Sequence, residues 1–241
     1  MKQDRRRFLR VAGAAIATHA MGSLPFTARA ATDKLKIGVI GSGRIGSTLG
    51  GLWVKAGHDV MFSSLDLEHD RALAAKLGAG ARAGTPREAA AFGEVLLMAV
   101  PYSALPSVGK DLANQIRGKV VLDASNPIVR RDGEIATWAR EKGAGLASME
   151  LLPGARIVRA FNAIGYSRMA VAHQNAERMG MPMASDDAKA VAVASRLVRE
   201  IGYEPVLVGG LAAMGKHLIP GTPLAGERSP AEIRQIAATL K

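Results

Sequence analysis

Gly41, Gly43 and Gly46 stand in G-x-G-x-x-G spacing within the stretch IGVIGSGRIGSTLG. That spacing suits the pyrophosphate of a dinucleotide. The first glycine permits a tight turn out of a strand. The second leaves the backbone bare, so that a pyrophosphate can approach it, and the third lets the following helix pack closely on the strand. The first turn of such a helix offers unpaired N–H groups and the positive end of its dipole to phosphate. Ser42, Arg44 and Ile45 lie in the same loop and join the expected binding set. An acid about 20 residues further on would hold a ribose 2′-hydroxyl and repel a 2′-phosphate. Ser63 and Ser64 occupy that region, with Asp66 slightly late. Two hydroxyls without an early acid favour NADP over NAD, with Arg44 as the cation for the 2′-phosphate. A solvent-facing residue at a helix start is the other reading of Arg44.

The remaining chemistry is sparse. The chain has no cysteine. It therefore has no disulfide, no thiolate metal site and no cysteine nucleophile, and no metal site is expected. Reduction of a carbonyl by hydride usually needs an acid near the oxygen. His58 follows a helix stop at Gly57, and His69 lies beyond the second strand. His173 reads as a helix-surface residue, and His217 is a candidate substrate contact in the tail. None of them, and no lysine, stands at a strand end with a carboxylate partner, so no catalytic acid is assigned. Tyr102 is a candidate proton donor, although its neighbour Pro101 suggests a packed loop residue. A flavin-like acceptor needs no such acid, because the cofactor rings carry the chemistry and the protein stacks them and excludes water.

These residues need elements to position them. Leu35 to Ile40 reads as a buried strand, followed by a helix with Ile45, Leu49, Leu52 and Trp53 at helical spacing and a second strand from His58 to Phe62. PREAAAFG reads as a helix, and strands follow at about Val95–Val100, at GKVVLD ending on Asp123, and at Arg156–Ala160. MPMAS reads as a short strand, DDAKAVAVASRLVREIG as a helix stopped by Gly202, and EPVLVGG as the last strand. Alternation of strand and helix implies an α/β fold: a doubly wound, mostly parallel Rossmann-type sheet with helices on both faces. Ligands in such sheets lie at the carboxyl ends of the strands. The expected rim is therefore Val100, Pro101 and Tyr102, then Ser125, Asn126 and Pro127, then Phe161, Asn162 and Ala163.

The head of the chain, MKQDRRRFLRVAGAAIATHAMGSLPFTARAA, reads differently. A basic start, a mildly apolar run from Val11 to Leu24 and the small residues Ala28 and Ala30 form the three regions of a secretory signal. The apolar run is shorter than the ~20 residues of a spanning helix. Asp4-Arg5-Arg6-Arg7-Phe8-Leu9-Arg10 resembles the twin-arginine export signal, with Asp4 in place of the usual Ser or Thr. The resemblance implies recognition by the twin-arginine export machinery, passage in the folded state, often with cofactor bound, and a periplasmic or extracellular location. The expected division is a signal over 1–31 and one oxidoreductase domain over 32–241, with a divergent tail from about 212. The formal charge is +11, of which the first 31 residues carry +5. The remaining basic residues are scattered and aromatics are few, which disfavours nucleic acid as a partner.

The motifs IGVIGSGRIGSTLG, LMAVPYSALPSV, GKVVLDASNPI, ELLPGARIVRAFNAIG and ASDDAKAVAVASRLVREIGYEPVLVGGL follow one another in the order found in NADPH-dependent reductases of coenzyme F-420, a deazaflavin. The chain resembles that family over roughly Leu35 to Leu211, and it also resembles the oxidoreductase domain of six-transmembrane metalloreductases. The resemblance implies hydride transfer between NADP(H) and a flavin- or deazaflavin-like acceptor. It places the nucleotide on Gly41, Ser42, Gly43, Arg44, Ile45, Gly46, Ser63 and Ser64, and the nicotinamide by Val100, Pro101 and Ala163. The second ring system falls near Tyr102, Asn126, Pro127 and Asn162, and a homodimer is expected. The family usually has an arginine after the serine that ends the second strand, where this chain has Ser64. The usual aromatic tail is replaced by GKHLIPGTPLAGERSPAEIRQIAATLK. A ferric or cupric reductase and a non-catalytic dinucleotide-binding module are the alternatives. Imino- and hydroxy-acid reductases share such a first domain but add a long helical dimer domain.

Overall fold

The computed structural model describes residues 33–171 and 177–240, so the expected signal and His173 lie outside the described residues. The elements follow in the order β1 Lys36–Ile40, α1 Arg44–Ala56, β2 Asp59–Ser63, α2 Leu67–Leu77, β3 Ala81–Ala83, α3 Pro86–Phe92 and β4 Val95–Met98. Next come α4 Leu105–Asp111, α5 Ala113–Ile116, β5 Val120–Asp123, α6 Val129–Asp132, α7 Glu134–Lys142, α8 Ala144–Leu151 and β6 Arg156–Arg159. The chain continues with α9 Tyr166–Met169, β7 Met179–Ala184, α10 Ala188–Glu200, β8 Tyr203–Gly209, α11 Leu211–Met214 and α12 Pro230–Thr239.

The strands form one sheet in the order β3-β2-β1-β4-β5-β6-β7-β8. The first six are parallel, whereas β7 meets β6 antiparallel and β8 follows β7. The doubly wound expectation therefore holds, with the last two strands reversed. Five parallel strands stop level with one another. Ile40 pairs with Ser63 and Met98, Met98 with Asp123, and Asp123 with Arg159. The chain order reverses between β1 and β4, and a crevice opens there at the carboxyl ends.

Apolar residues bury both faces of the sheet. One face packs Leu49 and Trp53 of α1 and Leu197 and Val198 of α10 against Val39 and Phe62. The other packs Leu105, Ile116, Ala147 and Leu152 with Met214 and Ile233 of the tail. Trp53 donates its indole N–H to the Leu197 carbonyl at 3.0 Å. His58 accepts the Leu35 amide on Nδ1 at 3.1 Å and places Nε2 2.7 Å from Glu200 Oε2. It therefore ties the start of β1 to the end of α10, far from any strand carboxyl end. The divergent tail is folded: α12 opens with a capping box of Ser229 and Glu232 and buries Ile233 and Ala237.

Candidate functional site

The loop between β1 and α1 follows the chemistry of its glycines. Gly41 has φ 98°, and a Cβ there would lie 2.6 Å from the Ala99 carbonyl oxygen. A Cβ on Gly46 would come within 2.0 Å of the Gly41 oxygen, so only glycine lets α1 sit this close to the loop. A Cβ on Gly43 would meet nothing within 4 Å. That open space in front of the helix start is where a pyrophosphate fits. No side chain caps α1, and its first turn carries no acid. Its first amides are thus available to an anion.

The loop is fastened from below. The amides of Gly41 and Ser42 both donate to the Ser63 carbonyl at 2.9 Å, and the Ser63 hydroxyl donates to the Val39 carbonyl at 2.7 Å. Ser63 acts through its backbone, and its side chain is buried. The Ser42 hydroxyl is also buried and bonds the Asp70 carboxylate. Ser64 donates to the other Asp70 oxygen at 2.9 Å and accepts the Asp66 amide at 3.1 Å. Asp70 is fully buried and joins the serine that follows β1 to the serine that follows β2. Sequence reasoning missed it, because in DLEHD it looks like one more solvated acid of a helix start.

Two cavities open at the crevice. The larger, about 720 Å³, runs from Gly41 and Gly43 past Ser64, Leu65 and Asp66 to Val108 and Asp111. The smaller, about 450 Å³, is lined by Arg44, Ile45, Asn126, Ile128, Arg131 and Tyr166. Both share Ala99, Val100 and Pro101, the segment that follows β4. Gly41, Gly43, Ser64, Val100 and Pro101 thus meet at the first cavity, and Arg44, Ile45 and Asn126 at the second. Arg44 does not reach the ribose side. Its guanidinium lies 5.1 Å from the centroid of the Tyr166 ring, on the opposite side of the loop from Ser64. The dinucleotide fits this crevice; a 2′-phosphate finds no lysine, arginine or histidine among the described residues lining the first cavity.

Other expected rim residues turn inward. Tyr102 is buried, with its hydroxyl 3.5 Å from the Ala144 carbonyl and from Ser148 Oγ. Burial, with the Asp123 charge next, pushes its phenol up to about 12. Tyr102 lines neither cavity, so it is a packed residue rather than a proton donor to the crevice. Asn162 is buried and donates to the Ser125 carbonyl at 3.3 Å, while Asn126 donates to the Asn162 carbonyl at 3.1 Å. Phe161, just before it, holds φ 64° and packs edge-on to Trp53 and Tyr203. Pro127 and Ala163 are also buried, and their carbonyls accept from Arg140 and Gly226. These residues shape the strand ends from behind. His217 lines neither cavity; burial, with Lys216 next, lowers its pKa.

Arg131 places one nitrogen 2.8 Å from the Asn126 carbonyl and 2.8 Å from Asp132 Oδ2. Burial pushes the Asp132 carboxyl up, but the Arg131 hydrogen bond and the amides of Ile128 and Ser103 outweigh it and hold it low. Arg131 is therefore neutralised in place, whereas Arg44 faces an aromatic ring. Tyr166 and Ile128 gave no sequence signal, since both are ordinary exposed-loop types that only the fold brings to Arg44.

A family model described as NADP oxidoreductase, coenzyme F420-dependent, matches residues 36–127. The F420-dependent NADP reductase of Methanothermobacter thermautotrophicus is 29% identical over 191 residues, covering 73% of this chain and 82% of that protein. Metalloreductase STEAP3 of Rattus norvegicus is 29% identical over 181 residues, 74% of this chain. This chain spans only 34% of the rat protein's length. Among solved structures, a hypothetical protein from Sinorhizobium meliloti superposes with a TM-score of 0.72 at 24% identity, over 81% of this chain and 95% of that one. A putative F420-dependent NADP reductase from Arthrobacter gives 0.63 at 18%, over 76% and 90%. The matched family model and the archaeal reductase point to one class, the NAD(P)-dependent oxidoreductases, and the chain is similar over residues 36–127 to the NADP oxidoreductases that depend on coenzyme F420.

Proposed function

We propose that this protein moves a hydride between a nicotinamide dinucleotide in the larger cavity and a planar, flavin- or deazaflavin-like acceptor in the smaller one. The observation that carries this reading is the shared wall. Ala99, Val100 and Pro101 border both cavities, so two ring systems can meet across one short apolar segment. The nicotinamide supplies the hydride when bound. The amides of Gly43 and the first turn of α1 hold the pyrophosphate. Val100, Pro101, Ile45 and Ile128 keep the meeting point apolar and exclude water, which strengthens the charges around it. Arg44 on Tyr166 offers a cation to an anionic acceptor. No histidine, lysine or carboxylate lines the smaller cavity among the described residues. Ring-to-ring transfer, which needs no proton at a reacting oxygen, suits that lining better than carbonyl reduction.

The test is a turnover screen on the full chain with NADH and NADPH against flavins, a deazaflavin and a ferric chelate, followed by loss of the reduced-nicotinamide absorbance. Oxidation with a ring acceptor is expected. Oxidation with the ferric chelate alone would favour a metalloreductase, and tight binding with no turnover would favour a binding module. Gly43→Val should abolish nucleotide binding with an unchanged circular dichroism spectrum, because its side chain would stand in the pyrophosphate's place. Unchanged affinity by calorimetry would sink the loop assignment. We also propose that residues 1–31 direct export by the twin-arginine route, on the strength of the Arg5-Arg6 pair and the small residues Ala28 and Ala30.

A further inference from the structure

We infer that the ribose end of the larger cavity selects NADH over NADPH, and that Asp66 is the selecting residue. The inference rests on the proposed nucleotide site and departs from the NADP preference of the sequence reading.

The wall beyond β2 consists of Ser64, Leu65 and Asp66, and Asp111 faces the same cavity. Leu65 is fully exposed and offers no charge. The Ser64 hydroxyl is already committed to Asp70 and the Asp66 amide. Asp66 caps α2 through Oδ1, which accepts the His69 amide at 2.9 Å. A carboxylate has about four acceptor sites, so Asp66 retains capacity for a ribose hydroxyl. It stands two residues past Ser64, slightly beyond the usual position of an acid that reads the 2′-hydroxyl, and it lines the same wall.

Among the residues lining the cavity, a 2′-phosphate at that wall would meet two carboxylates and no lysine, arginine or histidine. The arginines nearest the site are engaged by other groups. Arg44 lies over Tyr166, beside the other cavity. Arg87 donates to the Asp111 carbonyl at 2.9 Å. Arg71 pairs with Glu68 on the exposed side of α2. The dipole of α2 gives no substitute, since its start already carries Asp66, Glu68 and Asp70.

Calorimetric titration of the full chain with NADH and NADPH, at one fixed salt concentration, tests this directly. NADH should bind at least about tenfold more tightly, the scale of a hydrogen bond to a charged group. Asp66→Asn should narrow that ratio, and Leu65→Arg combined with Asp66→Ser should reverse it. Arg44→Ala should leave the ratio unchanged. Equal or tighter NADPH binding by the wild-type protein, or a ratio that Asp66→Asn leaves untouched, would overturn the inference while the nucleotide site stands. If neither dinucleotide binds, the site reading itself fails and this inference falls with it.

Discussion

Behind the crevice, a carboxylate and a guanidinium meet fully out of water. Arg159 at the end of β6 donates to Asp123 at the end of β5 at 2.6 Å, and to the carbonyls of Ser125 and Leu218 at 3.2 and 3.0 Å. Ser148 completes the group with a 2.6 Å bond to the same Asp123 oxygen. The guanidinium thus sets the Ser125–Asn126 segment at the edge of the smaller cavity and pins the tail to the sheet. Burying such a pair gains little by itself, but breaking it strands a charge. Arg159→Met should therefore destabilise the fold by about 3–5 kcal/mol, and adding Asp123→Leu should recover much of the loss. Urea unfolding reads both; a midpoint unmoved by the single change would show that the pair carries no weight. This network was illegible in the sequence, as was Asp70, because a buried polar residue is recognised only by what surrounds it. The glycines were legible because their reason is local: a turn, a close approach and a bare backbone each demand the same residue type.

Among the elements, α10 shows how a helix start is fixed. Asp187 accepts the Ala190 amide at 3.0 Å and a two-pronged bond from Arg156, with contacts of 2.7 and 2.8 Å. The Arg156 hydrogen bond, with the Ala190 amide next, holds its carboxyl well below the usual carboxylate range. The folded state thus favours the ionised form. The stability it adds is present above the unfolded-chain value near ~3.9 and fades as pH falls towards the lowered folded value. Asp187→Asn should lower the unfolding temperature at neutral pH, and the gap from wild type should shrink in acid below about pH 4. A gap that stays constant with pH would contradict this. The strong periodicity of α10 made it legible, with bounds close to those expected. β3 was not, since Ala81-Arg82-Ala83 is three residues with no alternation to read. The expected strand from Val95 stops at Met98; the Ala99 amide still donates to the Ile40 carbonyl at 2.9 Å, and Val100 and Pro101 then turn out to form the cavity wall.

At the scale of the molecule, the class of fold followed from alternation, but strand direction did not. Nothing in MPMAS or EPVLVGG says that β7 and β8 run against the other six; direction is decided by where the connections return. The crevice lies between β1 and β4, remote in sequence from the tail, so the proposed nucleotide site is indifferent to that reversal. The export proposal also belongs at this scale. An Arg5→Lys, Arg6→Lys variant should fold, bind nucleotide and remain in the cytoplasm, as judged by cell fractionation. Its appearance in the periplasm would show another route and remove the case for loading the nucleotide before transport. The reversal has a mechanical side. β6 and β7 share the single ladder pair Arg159–Ala184, whereas β7 and β8 are zipped along their length and carry α12 with them. Pulled from its carboxyl end, the molecule would meet little resistance in that ladder; what clamps β7 and β8 to the other six strands is α10, through Trp53–Leu197, His58–Glu200 and Arg156–Asp187.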